Sequence, residues 1–177
     1  RARKPPEEVD HIRQTQRANE AAMRAAETLL REAVVDSDGD EATDGDTPVL
    51  RHDGETLTSE RVKVEIESTG LDETIVACGA DAADPHNRGS GPLRPDEPII
   101  IDIFPRSKST GYHADMTRTF LAGEPDDTVA EWFEFTHEAL AAALDAVEPG
   151  VTGAAVHDAV CDVYEDAGVP TLRSDST

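Results

Sequence analysis

The sequence predicts an α+β domain in which helix pairs flank an antiparallel sheet. Three observations carry this. Asp102 interrupts Pro98-Ile99-Ile100-Ile101-Asp102-Ile103-Phe104, the most apolar run of the chain, which reads as a buried strand. A second strand candidate, Tyr112–Phe120, carries Asp115 beyond a polar turn that includes Arg106-Ser107-Lys108-Ser109 and Gly111. Finally, a helix, a short Gly/Thr-containing link and a second helix closed by glycine occur twice, through Gly54–Thr58 to Gly70 and through Gly150–Thr152 to Gly168.

The elements follow in order. Pro5-Pro6-Glu7-Glu8 starts a helix that runs to about Val35, with Ile12, Ala18, Ala22, Ala25, Ala26, Leu29 and Leu30 on its apolar side. Asp36–Asp46 alternates acids as a calcium loop does. It fails that motif twice, because the sixth position is Glu41 rather than Gly and the twelfth is Thr47 rather than Glu. It therefore reads as a solvated acidic insert over residues 36–48. Thr58 or Ser59 caps a second helix to about Ser68. Thr74–Cys78 is a short strand, followed by a Gly/Asp/Pro-rich loop to Pro95 that contains Pro85-His86-Asn87. Asp126 or Asp127 opens a third helix with Val129, Trp132, Phe133, Leu140, Leu144 and Val147 on one side. Thr152 caps a fourth helix with Val156, Val160 and Val163 inward.

If the two acid-bearing strands pair about a loop centred near Lys108 and Ser109, Asp102 and Asp115 stand opposite each other, with Cβ atoms about 5 Å apart. Two buried like charges at that distance require a counter-charge, and one or two divalent cations are the simplest. Alternation puts Arg118 on the other face, so it is a poor partner, while Thr117 and Thr119 share the face of Asp115. His113 shares it as well and is a candidate pocket residue. Trp132, Phe133 and Phe135 read as packing residues. His11, His52, His137 and His157 are expected to face solvent.

The chain has 177 residues and a net charge of −22, from 38 acidic and 16 basic residues. Its only lysines are Lys4, Lys63 and Lys108. Such a surface repels nucleic acid and anionic membranes, so neither is an expected partner; scarce lysine under dense carboxylates points to a salt-loving source. Cys78 and Cys161 have no metal spacing and suit a reducing cytoplasm. No apolar run is long enough to span a bilayer.

Ile99-Ile-Ile-Asp102 and Gly111-Tyr-His-Ala-Asp115-Met-Thr-Arg118-Thr-Phe120, with Thr74–Gly79 and Pro85-His86 upstream in the expected order, resemble the pita-bread metallopeptidases. This family includes Xaa-Pro dipeptidase, aminopeptidase P, methionine aminopeptidase and creatinase, and the Xaa-Pro branch looks closer than the methionine branch. The resemblance covers nearly the whole chain from Glu7. It implies two divalent metals held by two Asp, one His and two Glu. Asp102 matches the first Asp, Asp115 the bridging one, and His86 the histidine that touches substrate near the scissile bond. Mn is the expected metal, with Co or Zn as alternatives. The implied reaction is metal-assisted hydrolysis of the N-terminal peptide bond of Xaa-Pro peptides. A creatinase-like hydrolase and a non-catalytic peptide-binding module of the same fold are the rivals, and a homodimer is left open.

The gap between the two Asp is two residues longer than usual for the family, placed in the Pro105–Thr110 turn. The later His and both Glu ligands, the strands that carry them, and the amino-terminal lobe of Xaa-Pro enzymes have no counterpart. Residues 1–177 thus read as part of a catalytic domain that is inactive by itself.

Unscreened repulsion among 38 acids is expected to leave the chain unstable in dilute buffer. Circular dichroism during a KCl titration should show structure gained with salt; a flat response contradicts the salt-adaptation reading.

Overall fold

A computed structural model describes residues 3–37, 47–68 and 74–173. They form two units, Arg1–Glu124 and Pro125–Thr177. In the first, helix α1 (Pro6–Glu32) is followed by strands β1 (Val34–Asp36), β2 (Val49–His52) and β3 (Glu55–Thr56), helix α2 (Ser59–Ser68) and strand β4 (Thr74–Cys78). A 3-10 turn (Gly79–Ala83) and strands β5 (Ile99–Ile103) and β6 (Met116–Phe120) complete it. The second unit holds helices α3 (Asp127–Ala146) and α4 (Gly153–Asp166). No helix among the described residues is long and apolar enough to cross a membrane.

Two antiparallel sheets form, in the orders β1-β2-β3 and β4-β5-β6. The second positions the acids. From Ile99 to Arg106 burial alternates residue by residue: Ile99, Ile101 and Ile103 are fully buried, and Pro105 keeps the phase. These inward residues share one core with Ala22 and Ala26 of α1, Val62 and Ile66 of α2, and Leu57 just before α2. The intervening Ile100, Asp102 and Phe104 are half-buried on the opposite face. The Ile run is therefore buried on one face only, and Asp102 lies on the other.

One polar side chain ties α1 to this sheet, and a second is buried within the helix's own turn. Asn19 is fully buried and donates from Nδ2 to the carbonyl of Ile103 at 2.9 Å. Thr15, also buried, donates to the carbonyl of His11. The buried stripe, Thr15, Asn19, Ala22, Met23, Ala26 and Leu30, follows helical spacing but includes polar residues that hydrophobicity alone passes over.

Helix α1 ends at Glu32 rather than near Val35, because β-branched Val34 and Val35 enter the ladder against Leu50 and Arg51. Asp36, the first acid of the insert, closes that ladder opposite Val49 and pairs with Arg51. Residues 38–46 of the insert and Gly70 lie outside the described residues. Thr58 accepts from the Arg61 N–H, Asp126 from the Val129 N–H and Thr152 from the Ala155 N–H, so all three helices start where expected.

Outside β5, the backbone closes tightly on β4. Gly89 adopts φ +70° beside Val76, which donates to the Arg88 carbonyl. A Cβ at Gly89 would stand 1.8 Å from the Val76 carbonyl oxygen, so only glycine fits.

In the second unit, Trp132 and Thr136 near the start of α3 meet Tyr164 near the end of α4, so the two helices run antiparallel. Ala139 and Cys161 are its buried residues, and Val156, Val160 and Val163 are half-buried, as expected. Phe133 is exposed rather than packed, as are Leu140, Leu144 and Val147; Trp132 is exposed on one side while its ring meets Phe135 and Tyr164, and Phe135 is half-buried.

Two expectations for histidines are also corrected. His11 stacks on Tyr112 with ring centroids 5.7 Å apart. His52 lies between Glu32 and Asp53 with its side chain 15% exposed. His137 and His157 are exposed, His157 lying 3.4 Å from the Cys161 sulfur.

Asn19→Ala is expected to destabilise the protein by about 1–3 kcal/mol, since it strips a buried carbonyl of its donor, and Gly89→Ala by more. Urea unfolding checks both; an Asn19→Ala midpoint equal to wild type would show that the bond carries no stability.

Candidate metal centre

The hairpin of β5 and β6 sets the geometry. Asp102 pairs with Thr117 and Ile103 with Met116. The same register continues outward: Ala114 donates to the Pro105 carbonyl, and Arg106 bridges to His113. Ser107 and Tyr112 close the turn, with the Ser107 N–H donating to the Tyr112 carbonyl at 2.8 Å. Lys108–Gly111 form the loop, so its centre lies between Ser109 and Thr110. Gly111, at φ +75°, supplies the left-handed last position and donates to the Ser107 carbonyl.

Asp102 and Asp115 are consequently not directly opposed. The loop centre sits one residue later than expected, which moves the register by two. Asp102 faces Thr117, and Asp115 lies just before β6, at the level of Phe104. A shift of two preserves the face. Both carboxylates therefore remain on the same side as diagonal neighbours, within hydrogen-bonding reach of each other. Asp115 is exposed and Asp102 half-buried, so the acids occupy an open face rather than a buried strand pair.

The electrostatics follow. Partial desolvation, then the charge of Asp102 and a hydrogen bond to it, raise the Asp115 carboxyl above its ordinary value, with the Met116 N–H opposing. Thr117 Oγ1 donates to Asp102 Oδ1 at 2.7 Å and orients that carboxylate. Thr119 makes no such bond among the described residues. Arg118 stands opposite Ile101, on the other face, and donates to the Thr117 carbonyl. It leaves the acid pair without a guanidinium partner among the described residues.

Beside Asp102 lies a cavity of about 260 Å³. Asp102 and Thr117 form one edge, Ile75, Ala77 and Ile100 the floor, and residues 82–85 a wall. Sequence reasoning did not anticipate that wall. Its signal was the Asp84-Pro85-His86-Asn87 string, since Asp and Asn fold back on nearby backbone. Asp84 Oδ1 accepts from the His86 N–H at 2.9 Å, and Asn87 Oδ1 accepts from the Gly89 N–H at 2.9 Å. His86 follows directly on the wall, exposed at its end. His113 is exposed and outside the lining.

Two diagonal carboxylates on one face, with no cationic partner among the described residues, suit a hard divalent cation. Among the described residues no group of three or more His, Cys, Asp or Glu converges, so the two carboxylates alone do not make a complete ligand set.

The sequence model of metallopeptidase family M24 matches residues 10–175. Over 96 residues, 54% of this chain, it is 41% identical to a probable dipeptidase PepE of Mycobacterium tuberculosis, covering 25% of that protein. Over 97 residues it is 35% identical to an Xaa-Pro dipeptidase of Lactobacillus delbrueckii subsp. lactis, covering 26% of it. The crystal structure of dipeptidase PepE from Mycobacterium ulcerans superposes with a TM-score of 0.73 at 28% identity, over 93% of this chain and 40% of that one. The prolidase from Pyrococcus horikoshii gives 0.73 at 21% identity, over 93% and 43%, a likeness of fold. The chain thus spans about a quarter of the curated relatives' length, and its fold is the corresponding portion of the pita-bread fold. Matched along nearly its whole length, the chain belongs to metallopeptidase family M24.

Proposed function

We propose that the protein to which these residues belong hydrolyses Xaa-Pro dipeptides, with Asp102 and Asp115 as metal ligands and His86 as a substrate contact. One observation carries the reading: two carboxylates share an open sheet face beside an apolar-floored cavity, and no guanidinium or ammonium pairs them among the described residues. Membership of the family and the likeness to dipeptidases support it.

A divalent cation held by the pair supplies Lewis acidity toward the scissile carbonyl. Mn suits an oxygen-rich set best, with Co or Zn as alternatives. The chain's own residues prepare the site. The Thr117 hydroxyl fixes the Asp102 carboxylate, and Asp115 completes a diagonal pair whose repulsion a cation relieves. Ile75, Ala77 and Ile100 form a surface for an apolar substrate group, and the Asp84 turn presents His86 at its edge. Residues 1–177 then form part of the catalytic domain, with an acidic insert at 36–48, and the His and two Glu ligands implied by the family come from outside them. The protein works in the cytoplasm of a salt-loving cell.

The test is proline release from Leu-Pro by the full-length protein in concentrated KCl with Mn²⁺. Asp115→Asn should abolish release; no release from the unaltered protein with metal supplied would sink the reading in favour of a binding module.

Metal linkage gives an independent readout. Asp115 has a raised folded pKa, so its ionisation costs the metal-free fold stability. Without metal, Asp115→Asn should therefore melt slightly higher than wild type at neutral pH. Mn²⁺ should reverse that order by stabilising only the wild type. Thr117→Val should weaken Mn²⁺ binding about 10- to 100-fold through loss of an orienting bond. Thermal shift against metal concentration reads both effects, and identical Mn²⁺ responses in all three proteins would exclude Asp115 as a ligand.

A further inference from the structure

We infer that Arg106, with His113 across the hairpin, holds a carboxylate of the peptide substrate; this rests on the hydrolytic reading of the acid pair. The alternation that places Asp102 outward continues to Phe104 and Arg106, and the intervening Ile103 and Pro105 stay buried. On the other strand Thr117, Asp115 and His113 are exposed while Ala114 is buried against Pro105. The open face therefore carries three successive levels: Asp102 with Thr117, Phe104 with Asp115, and Arg106 with His113. Two residues of strand advance roughly 6.5–7 Å, so the cationic level stands that far beyond Asp115.

That spacing matches a short peptide. One extended residue spans about 3.5 Å, and the Arg side chain covers the remainder. A substrate whose scissile carbonyl lies by the acid pair thus brings a carboxylate on the next residue within reach of Arg106.

Charge and position together point to this arginine: Arg3, Arg17, Arg88, Arg94 and Arg118 also make no ion pair among the described residues, but Arg106 is the one on the acid-bearing face of the β5–β6 hairpin. In a chain of net charge −22, Arg13, Arg24, Arg31, Arg51, Arg61 and Arg173 each pair with an acidic side chain. Arg106 is exposed and pairs with none among the described residues; its guanidinium rests over Gly111, 3.2 Å from where a Cβ would stand. Its five donors in a planar fork fit a carboxylate, and the imidazole of His113 adds one more. On so acidic a surface an unpaired cation beside the acid face also offsets the general repulsion of an anionic substrate.

The experiment compares Leu-Pro, Leu-Pro-amide and Asp-Pro-amide with the full-length protein and its Arg106→Gln and Arg106→Lys variants, following turnover and, by calorimetric titration, binding. Arg106→Gln should raise KM for Leu-Pro about tenfold, as for loss of a hydrogen bond to a charged group, with kcat nearly unchanged. Leu-Pro-amide should be indifferent to the substitution, and Arg106→Lys should recover part of the loss. If the dependence falls on Asp-Pro-amide instead, the carboxylate read is that of a side chain rather than the terminus. Equal effects on all three substrates, or none, would overturn the assignment. If nothing is hydrolysed, the hydrolytic reading fails separately; Leu-Pro and Leu-Pro-amide binding with equal affinity would then overturn the carboxylate site.

Discussion

The two-faced character of β5 is the constraint on which the first unit depends. Ile99, Ile101 and Ile103 enter the core with no exposed surface, and Asp102 stands between them on the opposite face. A slip of one residue against β4 or β6 would drive the carboxylate into the core and three Ile side chains into water. Burying an unpaired carboxylate and exposing three large side chains each cost several kcal/mol. The core therefore fixes the direction of Asp102 far more firmly than any contact at the site. Asn19 reinforces this from behind, because its bond to the Ile103 carbonyl ties the helix to the end of the strand that carries the acid.

The same reasoning explains how much of the site was legible in the sequence. The pattern of apolar and acidic residues indicates which side chains share a face, and Asp102, Asp115 and Thr117 do share one. It does not tell one register from another two residues away, because an even shift leaves every side chain on its face. The choice rests with the turn. There the Ser107–Tyr112 backbone pair, the Thr110 N–H bond to the Ser107 hydroxyl and the left-handed Gly111 settle on a four-residue loop. None of these shows in hydrophobic periodicity, so diagonal acids take the place of opposed ones.

Elsewhere legibility follows the physics of each element. Caps at Thr58, Asp126 and Thr152 have local chemistry and were readable. The β1-β2-β3 sheet was not, since its strands are too short for alternation to declare itself. Its usable signal was Asp53-Gly54, both at positive φ in the β2–β3 turn, the pairing that two-residue hairpins favour. The side chains of His11 and His52 were misplaced, and Asn19 was passed over, for a common reason. Polarity predicts exposure only where no partner draws the side chain in, and the Ile103 carbonyl, the Tyr112 ring and Glu32 are such partners, all distant in sequence.

The groups of the candidate site come from three segments, and backbone geometry holds each of them. Asp102 and Thr117 are fixed by the β5–β6 ladder, Asp115 by the hairpin whose turn closes at Ser107 and Tyr112, and His86 by the Asp84 turn. The loop beyond that turn is anchored in turn by the close passage of Gly89 over Val76. The acid side chains themselves contribute little to the fold, and Asp115, exposed beside a like charge, opposes it. Residues that a fold places firmly but does not use for packing answer to some other demand. On this open face, with two carboxylates, an orienting hydroxyl and a small apolar floor, the demand we propose is to hold a cation against a peptide.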